Sequence, residues 1–204
     1  MTFPHGTPST IISDRGKKTG HGKRFTILSE TKYERKREKK AEPSLGIIDS
    51  QSVKTIHHRD ACGYDGGKKI KGRKRHILVD TLGLIHGLIV HTANIQERAG
   101  AKLLLEPLRD TLTRMKKILA DGGYSGPDMI EWVKEKCGWI FEVVKRTELH
   151  IFKVVPKRWI VERTFGWFNH YRRLSKDYEF SCDTSENMIY IAMTQLMLRR
   201  LAKT

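Results

Sequence analysis

The sequence predicts a mixed α/β fold, in which helices pack against a central sheet to form three layers. Short apolar runs of strand length alternate along the chain with longer segments that have helical periodicity. Two of the strand-like runs are separated only by Leu82-Gly83-Leu84, which is typical of a hairpin and adds an antiparallel part to the sheet. The 204 residues suffice for one such domain with a substantial core.

Residues 1–42 are predicted to form a basic arm outside this domain. Residues 1–28 are rich in Gly, Ser, Thr, Pro, Lys and His and show little periodicity, which indicates disorder. Residues 29–42 are compatible with a helix that has almost no apolar face, so a solvated helix or a linker is expected. The ordered domain is therefore predicted to span residues 43–204.

The predicted order of elements is strand, hairpin, helix, strand, helix, strand, helix, helix. The first strand covers residues 45–54, and a polar, glycine-rich loop covers residues 55–74. Pro127 and Gly138 provide helix start and stop signals. The other predicted elements are strands at residues 76–81, 85–92, 117–120 and 139–144, and helices at residues 99–115, 127–136, 157–174 and 185–202.

The charge balance points to a polyanionic partner. Lys and Arg number 39 against 23 acidic residues, which gives a net charge of +16 with His neutral. Nucleic acid is the leading partner class for such a chain, and a merely soluble basic protein is the alternative. The cations expected to contact DNA phosphates are Lys68, Lys69, Lys71, Arg73, Lys74 and Arg75 in one glycine-flanked run, and Arg158, Arg172, Arg173 and Lys176 near the third helix.

Cysteine usage and hydropathy indicate a cytoplasmic protein. The three cysteines are odd in number and widely spaced, so they form no disulfide framework and suit a reducing compartment. No apolar run approaches the roughly 18 residues needed to span a bilayer, so no membrane partner is expected.

Three carboxylates carry the chemical prediction. Asp49 and Asp121 each follow an apolar, strand-like run, and Glu162 lies in a basic amphipathic helix. Carboxylates are natural ligands of Mg²⁺, and two nearby metal ions can hold both the attacking and the leaving oxygen of a phosphodiester displacement. If the two strands are neighbours, both aspartates emerge at one edge of the sheet, and the helix can bring Glu162 over them.

Each acid also has a local alternative. Asp49 and Asp121 are both suited to turns, and Glu162 is spaced to form a surface ion pair with Arg158, four residues earlier. Asp80 is a competing candidate because it also ends a strand-like run. It ranks lower because it lies at the predicted hairpin, where turn formation is a sufficient role.

Several strings resemble the DDE transposases of bacterial insertion sequences. The resemblance is to the branch named insertion sequence five, related to the insertion-sequence-four group, and it covers about residues 43–200. The strings that carry it are GIIDSQSVKT at residues 46–55, GYDGGKKIKGRKRH at 63–76, LADGGY at 119–124, RWIVERTFGW at 158–167 and RRLSKDYE at 172–179.

The resemblance implies an RNase H-like fold with Asp49, Asp121 and Glu162 as the catalytic, metal-binding triad. It implies two Mg²⁺ ions, for which Mn²⁺ can substitute, and double-stranded DNA as the partner, at element ends and at the target. In the reaction that the resemblance implies, water attacks a phosphodiester first, and the freed 3′-hydroxyl then attacks target DNA. It also implies a homodimer assembled on DNA and association with the nucleoid.

Residues 1–28 do not resemble the helical region, rich in aromatic residues and arginines, that usually precedes the first acid in this family. We therefore expect a truncated or frame-shifted copy whose recognisable sequence resumes within residues 29–42. Two alternatives stay open at this point: a non-catalytic DNA-binding remnant, and an RNase H-like nuclease that acts on RNA or on a hybrid.

Overall fold

A curled mixed sheet organises the chain in the computed structural model, which describes residues 42–56, 61–144 and 157–202. The arm predicted for residues 1–42 lies, except for its last residue, outside the described residues. The strands are β1 (Leu45–Lys54), β2 (Gly63–Asp65), β3 (Ile70–Val79), β4 (Ile85–Thr92), β5 (Lys117–Ala120) and β6 (Ile140–Val143). The helices are α1 (Glu97–Leu105), α2 (Pro127–Cys137), α3 (Trp159–Phe168) and α4 (Cys182–Ala202).

Strand β1 lies at the centre of the sheet. It pairs antiparallel with β3 on one side and parallel with β5 on the other, and β5 pairs parallel with β6. Strands β2 and β4 both pair antiparallel with β3, along successive segments of that strand. This mixed sheet with helices on both faces is the RNase H-like arrangement, so the predicted fold class is confirmed.

The two faces of the sheet bury separate apolar cores, as the alternation of side chains along a strand requires. Ile47 of β1 packs with α3 and α4, in a core that includes Val161 and Phe165. The next residue, Ile48, packs on the opposite face with α1 and α2, in a core that includes Leu104 and Val133. The three-layer arrangement therefore follows from neighbouring residues of β1 that face opposite helical layers.

Two helices are shorter than the apolar periodicity predicted. Helix α1 ends at Leu105, and a 3₁₀ turn at Glu106–Leu108 follows, because Pro107 lacks the N–H that a continuing α-helix needs. Helix α3 ends at Phe168, and a 3₁₀ turn at Arg172–Leu174 follows. Helix α2 extends one residue beyond its predicted end, to Cys137, before Gly138 ends it in the left-handed region with φ +72°.

Strand β3 departs most from its prediction, because it begins at Ile70 instead of residue 76. It thus absorbs the end of the segment predicted to be a polar loop, including most of the basic run. None of the helices in the described ranges has the length and apolar character needed to cross a membrane.

Candidate active site

Strands β1 and β5 bring Asp49 and Asp121 side by side. Their parallel register pairs Ile47 with Leu119, two residues before each aspartate. Ile47 and Leu119 belong to the core on the α3 side of the sheet, so the alternation of side chains directs both aspartates to that side as well. Two acids that are 72 residues apart in the sequence thereby meet beneath helix α3.

The apolar run before Asp49 suggested that this residue ends its strand, but the strand continues beyond it. Asp49 is the fifth residue of the ten in β1, and its Cα is paired with Ile77 of β3. The strand continues past Asp49 because β3 supplies hydrogen-bonding partners as far as Lys54. Asp121, in contrast, directly follows the last residue of β5, as predicted.

Burial dominates the electrostatics of Asp49, whose side chain is only 17% exposed. The pKa of this carboxyl is raised from 3.8 to about 6, chiefly by burial and also by the negative charge of Asp121. The backbone N–H of Ser50 donates to Asp49 Oδ1 at 2.7 Å and opposes the rise, as do the positive charges of Arg158 and Lys68. Asp49 is thus an acid that the fold holds in an unfavourable place for its charge.

Asp121 uses one carboxylate oxygen in a turn and directs the other to the acid site. Its Oδ1 accepts a hydrogen bond from the backbone N–H of Gly123 at 2.9 Å, which begins the 3₁₀ turn at Gly122–Tyr124. Its Oδ2 faces Arg158 instead. The Asp-Gly turn weighed as an alternative is therefore present, and it leaves the second oxygen for the site.

The turn between β3 and β4 holds helix α3 in place. Thr164 Oγ1 donates to the carbonyl of Gly83 at 3.0 Å, and Arg163 donates to the carbonyl of Leu82 at 2.9 Å. Gly83 has φ +82°, and a Cβ there would lie 2.8 Å from Thr164 Oγ1, so this close contact requires glycine. Asp80 Oδ1 accepts from the Leu82 N–H at 2.8 Å, which supports the turn role expected for Asp80.

The third acid, Glu162, is joined to the two aspartates by the guanidinium of Arg158. One terminal nitrogen of Arg158 lies 3.7 Å from Asp49 Oδ2 and 3.6 Å from Glu162 Oε1. The other lies 3.8 Å from Asp121 Oδ2. The ion pair weighed as the alternative role for Glu162 exists, but the same guanidinium also faces both aspartates. The sequence spacing identified one of these three contacts and missed the other two.

The donor chemistry of this site fits Mg²⁺, because three carboxylates converge on one positive charge. The present spacing is set by the guanidinium, whose nitrogens lie 3.6–3.8 Å from the carboxylate oxygens. Mg²⁺ requires oxygens at about 2.1 Å. Accordingly, the described ranges contain no group of three Asp, Glu, His or Cys side chains placed to hold one ion together.

The basic run divides into exposed and buried halves. Lys68, Lys69 and Lys71 are exposed, and Lys68 Nζ donates to the carbonyl of Ser50 at 3.1 Å, directly beside Asp49. Arg73, Lys74 and Arg75 are at most 2% exposed. These three residues, also predicted to contact DNA, lie inside strand β3 and have partners within the protein, so only the first three cations of the run are exposed for that contact.

Arg73 and Arg75 bind the C-terminal strap, which we define as residues 172–181. Arg73 forms a buried ion pair with Asp177 at 3.2 Å and donates to the Glu179 carbonyl at 2.9 Å. Arg75 donates to the carbonyls of Leu174 at 2.8 Å and Lys176 at 3.2 Å. These partners lie about a hundred positions away in the sequence, so no local pattern indicated them.

Lys74 faces the other side of β3 and binds acids there. Its Nζ lies 3.0 Å from Glu97 Oε1 and 3.4 Å from Asp65 Oδ2, and it donates to the Ile95 carbonyl at 2.9 Å. A Cβ on Gly123 would lie 3.6 Å from Glu97 Cγ, so Glu97 borders the turn that follows Asp121. Glu97 was not among the predicted site residues, and no motif in the sequence signals it.

The strap presents its predicted cations to solvent. Arg172, Arg173 and Lys176 are all exposed, and Arg173 Nε donates to Glu179 Oε1 at 2.9 Å. An isolated bridge between Thr55 and Asp177 also ties the strap to the end of β1. The exposed cations thus lie on a segment bound to β3 and to the end of β1, the strand that carries Asp49.

Comparison with known proteins places this architecture in a family. The family described as "Transposase DDE domain" matches residues 40–197 of the chain. The chain belongs to this family. The matched residues run from just before β1 into helix α4, and they include all three acids.

One curated relative of this DDE domain is the "Putative transposase for insertion sequence element IS402" of Burkholderia cepacia, which is 29% identical over 119 residues. The match covers 55% of this chain and 56% of the relative, so it spans about half the length of that protein.

Two solved structures were also found to be similar to the DDE domain. A simian T-cell lymphotropic virus intasome in complex with the PP2A regulatory subunit B56 gamma has a TM-score of 0.47 at 17% identity, over 74% of this chain and 48% of the other. The catalytic domain of the Mos1 mariner transposase has a TM-score of 0.42 at 10% identity, over 93% and 94%.

Proposed function

We propose that this chain is the catalytic domain of an insertion-sequence DNA transposase, of the insertion-sequence-five branch. It cuts phosphodiester bonds at the element's ends and joins the freed 3′-hydroxyl to target DNA. The observation that carries the proposal is the convergence of Asp49, Asp121 and Glu162 on a single guanidinium. Family membership agrees with that chemistry.

In this proposal Asp49, Asp121 and Glu162 hold two Mg²⁺ ions, for which Mn²⁺ can substitute. When bound, such ions activate the attacking oxygen and stabilise the leaving one. The protein side chains fix the position of the reacting phosphate. Asp49 and Asp121 are held by the sheet, and Glu162 is presented from α3, which is docked on the β3–β4 turn. No covalent enzyme intermediate is needed.

The exposed cations are proposed to hold double-stranded DNA across this site. Lys68 lies beside Asp49, and its neighbours in the turn and in β3 extend the positive surface away from the acids. Phosphate contacts position the duplex without reading its bases. The residues proposed for this role are Lys68, Lys69, Lys71, Arg158, Arg172, Arg173 and Lys176. Assembly as a homodimer on DNA, at the nucleoid in the cytoplasm, belongs to the same proposal.

The test is cleavage of supercoiled DNA that carries the element's ends, with Mg²⁺ or Mn²⁺. Wild type should nick the DNA only when metal is present, and Glu162→Gln should not nick it. Glu131→Gln is the matched control, because Glu131 is also an exposed helical glutamate and lies on α2, away from the acids. It should cleave as wild type does.

Binding without cleavage by the wild type would contradict the catalytic proposal and favour a non-catalytic DNA-binding protein. Equal cleavage of an RNA–DNA hybrid and of the DNA duplex would favour the nuclease alternative. Retained cleavage in Glu162→Gln would remove Glu162 from the proposed triad.

A further inference from the structure

The side chain of Arg158 occupies the centre of the acid site without a hydrogen bond to any of its acids. All three nitrogen–oxygen distances are 3.6–3.8 Å, whereas a charge-assisted N–H···O bond is about 2.7–2.9 Å long. A structural arginine in a buried ion pair typically forms two parallel short bonds with one carboxylate. Arg158 instead shares its charge among three acids from three elements.

Charge, more than fixed geometry, therefore explains the position of Arg158. Three ionised carboxylates carry three negative charges, and the guanidinium cancels one of them. Asp49 is the acid most in need of this charge, because its side chain is the least exposed of the three: 17%, against 34% for Asp121 and 58% for Glu162. The side chain of Arg158 is 16% exposed, so it is open to solvent at one side.

We infer that Arg158 is the counter-cation of the acid site in the metal-free protein, and that it leaves the acids for a DNA phosphate when divalent metal binds. This inference rests on the proposed function and adds to it a coupling between metal binding and DNA binding. The guanidinium and the metal compete for the same carboxylates, so each weakens the binding of the other. A guanidinium that has left the acids is available to a phosphate, so metal and DNA strengthen each other's binding.

Position supports the exchange. Arg158 directly precedes helix α3, so its backbone is fixed at the start of the helix that presents Glu162. A long, unbranched side chain on that backbone can reach the acids or the open side of the site by changing rotamers alone. Such a change gives up three ion pairs of 3.6–3.8 Å but breaks no hydrogen bond to the acids, so it costs less than the release of a hydrogen-bonded arginine.

The first experiment titrates Mn²⁺ into the DNA-free protein and follows the free ion by electron paramagnetic resonance. Arg158→Gln should bind Mn²⁺ about tenfold more tightly than wild type, because a competing positive charge about 4 Å from the acids has been removed. Arg158→Lys should stay near the wild-type affinity, because it keeps the charge. Arg109→Gln is the matched control, since it removes an exposed arginine whose ion-pair partner is the neighbouring Asp110.

The second experiment measures the coupling itself. Binding of a fluorescent 20-base-pair duplex is followed by anisotropy, with and without Mn²⁺, and cleavage is blocked by phosphorothioate linkages. Mn²⁺ should strengthen DNA binding by wild type more than by Arg158→Gln, because only wild type has a guanidinium to release. Equal strengthening in both proteins would overturn the coupling.

A third measurement uses the wild-type protein and does not depend on the folding of Arg158→Gln. The side-chain Nε–H resonance of Arg158, assigned by its absence in Arg158→Lys, should move when Mg²⁺ saturates the protein. The Arg172 resonance should not move. An unmoved Arg158 resonance at saturation, or weaker Mn²⁺ binding by a folded Arg158→Gln, would show that Arg158 is a fixed structural residue.

Failure of the inference is distinguishable from failure of the proposed function. If Mn²⁺ binds wild type, is lost in Asp49→Asn and is unaffected by Arg158→Gln, only the role of Arg158 is wrong. If Mn²⁺ binds neither wild type nor Arg158→Gln, with or without DNA, the metal-dependent function itself is wrong.

Discussion

At the scale of single residues, Asp49 illustrates how the proposed metal site conflicts with stability. The same burial that places this carboxylate beneath α3 raises its pKa to about 6, above the ordinary value of 3.8. Between these two pH values the folded protein holds a proton that the unfolded chain has released. Stability of the metal-free protein therefore falls as pH rises from about 4 to about 6, and it stays reduced at neutral pH.

Asp49→Asn should for this reason stabilise the metal-free protein at pH 7, by roughly 1–3 kcal/mol. The amide oxygen can still accept from the Ser50 N–H, and no buried negative charge is left. Thermal unfolding at pH 4.5 and pH 7.5 measures the effect, which should be small at the lower pH and several degrees at the higher.

The control for this prediction is Asp110→Asn, because the side chain of Asp110 is 79% exposed. It should leave the melting temperature nearly unchanged at both pH values. Destabilisation of Asp49→Asn at pH 7.5 would show that the ionised carboxylate is favourable in the fold and would contradict the pKa shift.

At the scale of elements, strand β3 and the C-terminal strap form one structural unit. Arg73 neutralises Asp177, and both side chains are fully buried, so removing either leaves an uncompensated charge. We predict that Arg73→Met destabilises the protein by about 3–5 kcal/mol in urea-induced unfolding. Lys71→Met, on the same strand and exposed, should change stability by less than about 0.5 kcal/mol.

The DNA affinity of these two variants separates structural from binding roles. Arg73→Met, assayed under conditions where it stays folded, should bind DNA nearly as wild type does, and Lys71→Met should bind it more weakly. If folded Arg73→Met bound DNA clearly more weakly than wild type, Arg73 would have to be counted as a DNA contact.

Some elements could be predicted from the sequence and others could not. Strands β1, β4 and β5 and helix α2 were predicted to within about a residue, because their patterns are local: apolar runs, and Pro127 and Gly138 at the helix ends. The basic half of β3 was predicted as a loop, since six cations in eight residues indicate solvent when only neighbours in the sequence are considered. The partners of Arg73 and Arg75 are carbonyls and an acid of the strap, and only the folded chain brings them near.

The same limit applies to the site. The residue types and the strand-then-acid pattern indicated Asp49 and Asp121, and the spacing of Arg158 and Glu162 indicated their ion pair. That Arg158 also faces both aspartates depends on the angle at which α3 crosses the sheet. That angle is set by contacts with the β3–β4 turn, about eighty residues earlier in the chain.

At the scale of the whole molecule, the charge of +16 predicts DNA binding that depends steeply on salt. Each phosphate contact contributes about 0.9 to the slope of log affinity against log salt concentration. The double change Lys69→Gln with Lys71→Gln should therefore lower the magnitude of this slope by about 2, because both lysines are exposed beside the site.

The double change Lys134→Gln with Lys136→Gln is the control, because it removes the same net charge from exposed positions on α2. It should leave the slope nearly as in wild type. If the two double changes reduced the slope equally, DNA binding would depend on the overall charge of the protein and not on a defined DNA-binding surface.

The way in which β3 binds the strap has a consequence for how this protein can diversify. Apart from the pair with Asp177, Arg73 and Arg75 bind main-chain carbonyls of the strap. Every amino acid carries a carbonyl, so the exposed positions Lys176 and Tyr178 can change without loss of this attachment. Mutation can thus change the exposed side chains of the strap while the sheet that carries the acids stays unaltered.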